Sequence, residues 1–138
     1  MHLLPFLYWI EVGYRIKNFK KMKILNSRIH GIVDYIVVLF LWLSPTLFGL
    51  SPFISILVYA LGGVHLGLTV LTNFPFGLVK VIPLKIHGLI ELVVGVVLIA
   101  SPLVLGGMDG VVSAVDHYFF AGFGVAVLAT WFVSDYSN

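Results

Sequence analysis

The sequence predicts an all-α integral membrane protein, a four-helix bundle made of two tandem helical hairpins with both termini cytoplasmic. Three observations carry that prediction. Of the 138 residues, 60% are hydrophobic and only 10% charged, whereas soluble domains carry about 25% charged residues. So few charges cannot cover a water-facing surface without large apolar patches. Second, apolar stretches recur at 29–48, 52–71, 82–104 and 111–133, each near the ~20 residues that cross a ~30 Å hydrocarbon core as a helix. Third, all eight Lys and Arg lie in two places: Arg15, Lys17, Lys20, Lys21, Lys23 and Arg28 before the first stretch, then Lys80 and Lys85 between the second and third. With four spans these segments share one face, which the positive-inside rule makes cytoplasmic. A disordered chain, a soluble enzyme and a nucleic-acid binder are excluded by the same facts. The lack of cysteine removes disulfides, thiolate metal sites and cysteine nucleophiles.

Residues 1–26 read as an amphipathic extension at the cytoplasmic interface. The stretch 3–10 is apolar and aromatic but too short to span, and its basic cluster follows it, an order unlike a cleavable signal peptide. Tyr8, Trp9 and Tyr14 would sit at headgroup depth. Met22 is an alternative start, which would make the extension dispensable. Residues 27–138 form the four-span domain, with repeat one at 28–79 and repeat two at 85–136. Its spans are expected to be helical, because an isolated strand would leave backbone polar groups unpaired in lipid. Turn chemistry separates them: Ser44-Pro45, Gly49 and Ser51-Pro52; then Asn73 to Gly77 and Pro83; then Ser101-Pro102, Gly106-Gly107 and Asp109-Gly110. Asn26 or Ser27 suits the first N-cap, and Pro83 the first turn of the third helix. Trp42 and Trp131 read as interfacial anchors.

Spans one and three are copies. Arg28-Ile29-His30-Gly31-Ile32-Val33-Asp34 aligns without a gap on Lys85-Ile86-His87-Gly88-Leu89-Ile90-Glu91. At the same offset Ser44-Pro45 falls on Ser101-Pro102 and Gly49 on Gly106. For spans two and four the match is thin: Gly63 pairs with Gly124 and Thr69 with Thr130, while His65 faces Ala126. Because spans one and three run in the same direction, the repeat is expected to be parallel, about an axis along the membrane normal. Two hairpins, each with a Ser-Pro near the outer end of its first helix, resemble the small bacterial membrane proteins of the SPW-repeat type. The resemblance runs from about residue 28 to 133, with Thr46 and Leu103 standing where the name-giving Trp is expected. It implies the two-hairpin fold in a bacterial inner (plasma) membrane, and no biochemical activity.

Ionisable groups at membrane depth are costly and mark candidate sites. Counting at ~1.5 Å per residue puts Asp34 roughly 10 Å, and Glu91 roughly 12 Å, into their helices. His30 and His87 lie one turn shallower on the same faces, and His65 on the second span reaches a similar depth. Arg28, Lys85, Thr69, Asn73 and Thr130 border this layer in supporting positions. Three readings follow. In the first, each His donates to a carboxylate and the network fixes helix register, with Gly31, Gly88 and a Gly63/Gly67 pair allowing close packing. The protein is then a non-enzymatic structural or accessory membrane component, acting as a homo-oligomer or within a larger membrane complex. In the second, the histidines His30, His65 and His87 hold a haem or a divalent metal, with Asp34 and Glu91 supporting, as in a redox or electron-transfer accessory. In the third, Asp34 and Glu91 carry protons or ions; the outer half offers only Asp116 and His117, which read as a solvated helix start. No HExxH, GxSxG, P-loop or GxGxxG pattern is present, which narrows the enzyme options and favours a non-enzymatic role.

Overall fold

The computed structural model describes residues 23–108 and 110–137; the stretch 1–22, with its expected interfacial aromatics, lies outside the described residues. Four helices follow one another: α1 Ser27–Phe48, α2 Pro52–Leu71, α3 Leu84–Leu105 and α4 Ala114–Val133. Each is long and apolar enough to cross a membrane. α1 packs chiefly on α2, and α3 on α4.

The helix limits follow from local chemistry. α2 occupies the predicted stretch. α1 starts at Ser27 because Asn26 accepts from the Arg28 and Ile29 amides at 3.1 and 3.0 Å, capping otherwise orphaned donors. α3 starts at Leu84, two residues later than hydropathy predicts. Ile82 is held in a bridge to Thr72, and Pro83 is the extended N-cap at ψ 140 rather than a first-turn residue. α4 starts three residues late because the Val111 and Val112 amides turn back onto the Met108 carbonyl. Ser113 and Asp116 then form a reciprocal capping box.

The outward faces are apolar. Ile32, Ile36, Leu39, Leu43 and Leu47 on α1, and Leu89, Val93, Val96 and Leu103 on α3, are exposed, the distribution of a bundle solvated by hydrocarbon. Inside, Leu41, Ile54, Val58, Leu98, Phe119, Phe120 and Phe123 form the apolar core. Phe40 and Phe48 of α1 meet Phe119 of α4 with ring centroids 6.2 and 5.6 Å apart, joining the two helix pairs.

Equivalent residues recur at two offsets. α1 and α3 are both 22 residues long and lie 57 positions apart, like His30 and His87. Their buried stripes coincide: His30 with His87, Gly31 with Gly88, Asp34 with Glu91, Val38 with Gly95 and Leu41 with Leu98. Ser44 and Ser101 each donate to the carbonyl three residues back, at 2.9 and 2.7 Å, beside Pro45 and Pro102 inside the helices. α2 and α4, both 20 residues, correspond at 62, one more than the sequence match of Gly63 with Gly124 implies. The correct partner of Gly124 is Gly62. Both are buried, and a Cβ would meet Trp42 at Gly62 and Ile99, the residue equivalent to Trp42, at Gly124. Gly63 and Gly67 face open space, so they do not provide the close packing expected of them; Gly95 and Gly124 do, each backing onto the other's carbonyl.

At the end away from the α2–α3 connection, Asp116 is fully buried and not the solvated helix start that was expected. Its carboxylate accepts from the Ser113 amide and hydroxyl at 2.7 and 2.8 Å and, across the bundle, from the Ser51 amide at 3.0 Å. It ties the α1–α2 turn to α4.

Candidate functional site

Helical spacing builds the site. On α1, His30 and Asp34 stand four residues apart on one buried face, and α3 presents His87 and Glu91 in the same way. One donor atom from each of the four lies within 4.8 Å of all the others. The His30 and His87 Nε2 atoms are 3.4 Å apart. His30 Nε2 is 3.4 Å from Asp34 Oδ1 and 3.5 Å from Glu91 Oε2. His87 Nε2 is 3.5 Å from Asp34 Oδ2 and 3.6 Å from Glu91 Oε1. Each helix pair supplies one imidazole and one carboxylate.

What holds the imidazoles lies at the ends of the even-numbered helices. Ser134 Oγ donates to the Thr130 carbonyl at 2.7 Å, and Thr72 Oγ1 to that of Leu68 at 2.7 Å. Each hydroxyl has one proton and spends it there. Towards the rings, Ser134 Oγ at 2.9 Å from His30 Nδ1 and Thr72 Oγ1 at 2.8 Å from His87 Nδ1 can therefore only accept. Both rings therefore turn Nδ1 to a hydroxyl and Nε2 inward, towards the carboxylates. The Nδ1 side of each ring is taken by a hydroxyl, and the Nε2 side faces the carboxylates at 3.4–3.6 Å. Four Lewis-basic groups converge on one buried point.

Thr72 and Ser134 are equivalent at the 62-residue offset, and so are the aromatic residues two positions on. The Phe74 ring fills the space over Gly31 and the Tyr136 ring that over Gly88, each where a Cβ would stand. The main chain repeats too, with isolated bridges Leu25–Ser134 and Thr72–Ile82. The equivalence then breaks. Tyr136 donates its hydroxyl to Glu91 Oε2, whereas Phe74 has none to give. Burial, reinforced by the Glu91 carboxylate, holds the Tyr136 phenol above its ordinary range, so it stays a donor. Asp34 Oδ2 has no hydrogen-bond partner among the described residues, although Asp34 is 1% exposed.

The remaining predicted residues divide. His65 reaches the edge of the cluster, its Nε2 3.8 Å from Asp34 Oδ1 and without a hydrogen-bond partner among the described residues. Thr69 is buried, but its hydroxyl donates to the His65 carbonyl at 2.8 Å and steadies the helix, not the ring. Thr130 contributes its carbonyl to Ser134. Arg28, Lys85 and Asn73 are exposed; the ion-pair partners of Asp34 and Glu91 among the described residues are histidines alone. Sequence reasoning did not show what Thr72 and Ser134 hold, and missed Phe74 and Tyr136. The signal was there: Thr72-Asn73-Phe74 matches Ser134-Asp135-Tyr136 by class once the offset is 62.

Two carboxylates without Lys or Arg partners among the described residues, beside two imidazole nitrogens, form a group that could hold a metal ion. No known family model matches the chain, and neither the curated proteins nor the solved structures hold a significant match to it.

Proposed function

We propose that this chain is a multi-pass membrane protein, two helical hairpins in tandem, that holds one divalent transition-metal ion between them through His30, Asp34, His87 and Glu91. The observation that carries the reading is the convergence of four buried donor atoms, one from each residue, within 4.8 Å of one another. Two imidazole nitrogens 3.4 Å apart, flanked by two carboxylates, make a place for a positive charge between them. A divalent ion balances the two carboxylates, leaving no net charge to desolvate. The 3.4 Å between the two Nε2 atoms matches the ~3.4 Å edge of a tetrahedron with ~2.1 Å arms, the metal–nitrogen length for zinc, and each carboxylate offers an oxygen within 4.8 Å of the other donors. Mixed imidazole and carboxylate donors suit zinc, iron or manganese in preference to calcium or copper(I). Ser134 and Thr72 on the outer ring nitrogens supply the orientation that metal-bound histidines take from a second layer of hydrogen bonds.

A haem is not favoured. Asp34 and Glu91 fill the space that a macrocycle would need between the two imidazoles, so of the two expected cofactors the metal ion remains. The kinship with the SPW-repeat type and the placement in an inner membrane with both termini cytoplasmic belong to the same proposal. A C-terminal reporter should read cytoplasmic, and one inserted at Gly107 external.

The test is purification of the full chain in detergent, removal of metal with a chelator, and titration with Co²⁺. One equivalent of cobalt with the intense visible bands of a tetrahedral site is expected. A colourless, metal-free protein that takes up no Co²⁺ would falsify the metal reading and return the cluster to a shared-proton network.

A further inference from the structure

Beyond the four donors the bundle is hollow. Two adjoining cavities of about 40 and 50 Å³ lie against the site on the side away from His30 and His87. Both are lined by Val37, His65, Glu91, Phe123 and Val127, and the second also by Asp34. Their polar wall is His65 and Glu91, with Asp34 and Thr130 added in the second; the rest is aliphatic and aromatic. A cavity needs only ~10–15 Å³ of such volume to hold a water-sized molecule. Val64 and Ile90 line the first cavity, Ala126 the second, and all three are exposed on the outward faces. A guest can therefore arrive from the hydrocarbon.

We infer that this cavity is a binding site for a small, uncharged ligand of a few heavy atoms, taken up from the bilayer and held on the open side of the metal. The inference rests on the metal reading above. Three features select the ligand class. At ~10–15 Å³ per water-sized group, the two volumes admit a guest of a few heavy atoms. The lining holds no cation to accompany an anion, and a divalent ion with two carboxylates is already neutral, so an uncharged guest costs least to desolvate. Finally, His65 stands outside the compact set of four donors, yet its Nε2 lies 3.8 Å from Asp34 Oδ1 with no partner among the described residues. A ligand bound there would receive a hydrogen bond from His65, or be oriented by it.

Nitric oxide is the probe. The full chain in detergent is loaded anaerobically with Fe²⁺, iron is counted, and nitric oxide is added. One iron per chain and the quartet electron-spin signal of a ferrous nitrosyl, in stoichiometric amount, are expected. His65→Leu should leave iron content unchanged and weaken nitric oxide binding up to about tenfold, the scale of one lost hydrogen bond. Val37→Phe fills the cavity and should abolish the signal with iron retained; Ala126→Leu, a milder filling, should reduce it if the larger ring disturbs folding. Stoichiometric iron without a nitrosyl signal, or a signal indifferent to both filling variants, overturns the ligand site and leaves the metal centre standing. Failure to bind iron at all in a helical, monodisperse chain overturns the metal reading and this site with it.

Discussion

Glu91 and Asp34 hold equivalent places on α3 and α1, and their surroundings differ by a few atoms. Glu91 accepts the Tyr136 hydroxyl and so is fixed from behind. Asp34 has Phe74 in the equivalent position, an oxygen without a hydrogen-bond partner among the described residues, and the uncommitted His65 beside it. The lesson is a division of labour within a repeated scaffold. Scaffold features common to both repeats, the hydroxyl behind each imidazole and the ring over each glycine, hold the nitrogen donors alike. Features present in one repeat only make one carboxylate an anchored ligand and the other an adjustable one.

The largest effect should come from what the repeats share. His30→Ala or His87→Ala removes a nitrogen donor and should cost at least ~100-fold in Co²⁺ affinity, beyond the 10–100-fold typical of second-layer changes. In a double-mutant cycle on the stability of the metal-free chain the two should couple by about 0.5–3 kcal/mol; strict additivity would mean that the rings do not meet. Next, the carboxylates should separate. Glu91→Gln should weaken cobalt binding more than Asp34→Asn, because it also leaves the Tyr136 hydroxyl without its charged acceptor. Equal losses in the two titrations would erase the distinction drawn above. Ser134→Ala and Thr72→Val should each lower affinity by about 10–100-fold, and by similar factors, since they act on equivalent nitrogens. Tyr136→Phe makes the second repeat resemble the first, and should cost up to about tenfold in affinity, one hydrogen bond's worth. The smallest test addresses the register of α2 and α4. Gly124→Ala should destabilise by about 1–3 kcal/mol through overpacking, and Gly63→Ala should stabilise by up to ~1 kcal/mol through helix propensity. Reversed signs in thermal or denaturant unfolding would restore the 61-residue alignment.

How far the sequence could be read depends on which physical signal each feature leaves. Hydropathy locates helices, so α2 was placed to the residue and the others to within a few. The misplaced starts of α3 and α4 come from backbone hydrogen bonds: Ile82 pairing with Thr72, and Val111 and Val112 closing onto Met108. Apolar side chains in such turns look the same as those in a helix. The cluster His30, Asp34, His87 and Glu91 was legible because its spacing is helical and its repeat ungapped. The residues behind it were not, since Thr72 and Ser134 act from the last turn of a neighbouring helix, where only the three-dimensional arrangement shows which ring they meet. Asp116 was misread as solvated although the capping box Ser113-x-x-Asp116 was visible. Nothing local announces that the Ser51 amide will arrive from the other helix pair.

The distribution of the donors between the helix pairs has a consequence for biosynthesis. α1 and α2 alone offer His30 and Asp34, but the serine that orients His30 comes from the end of α4. α3 and α4 alone offer His87 and Glu91, while the threonine that orients His87 belongs to α2. Neither half made alone carries an oriented imidazole, so a nascent chain should ignore free metal ions until Ser134 has been synthesised and the second half has docked. Under the metal reading proposed above, loading then follows the joining of the two helix pairs.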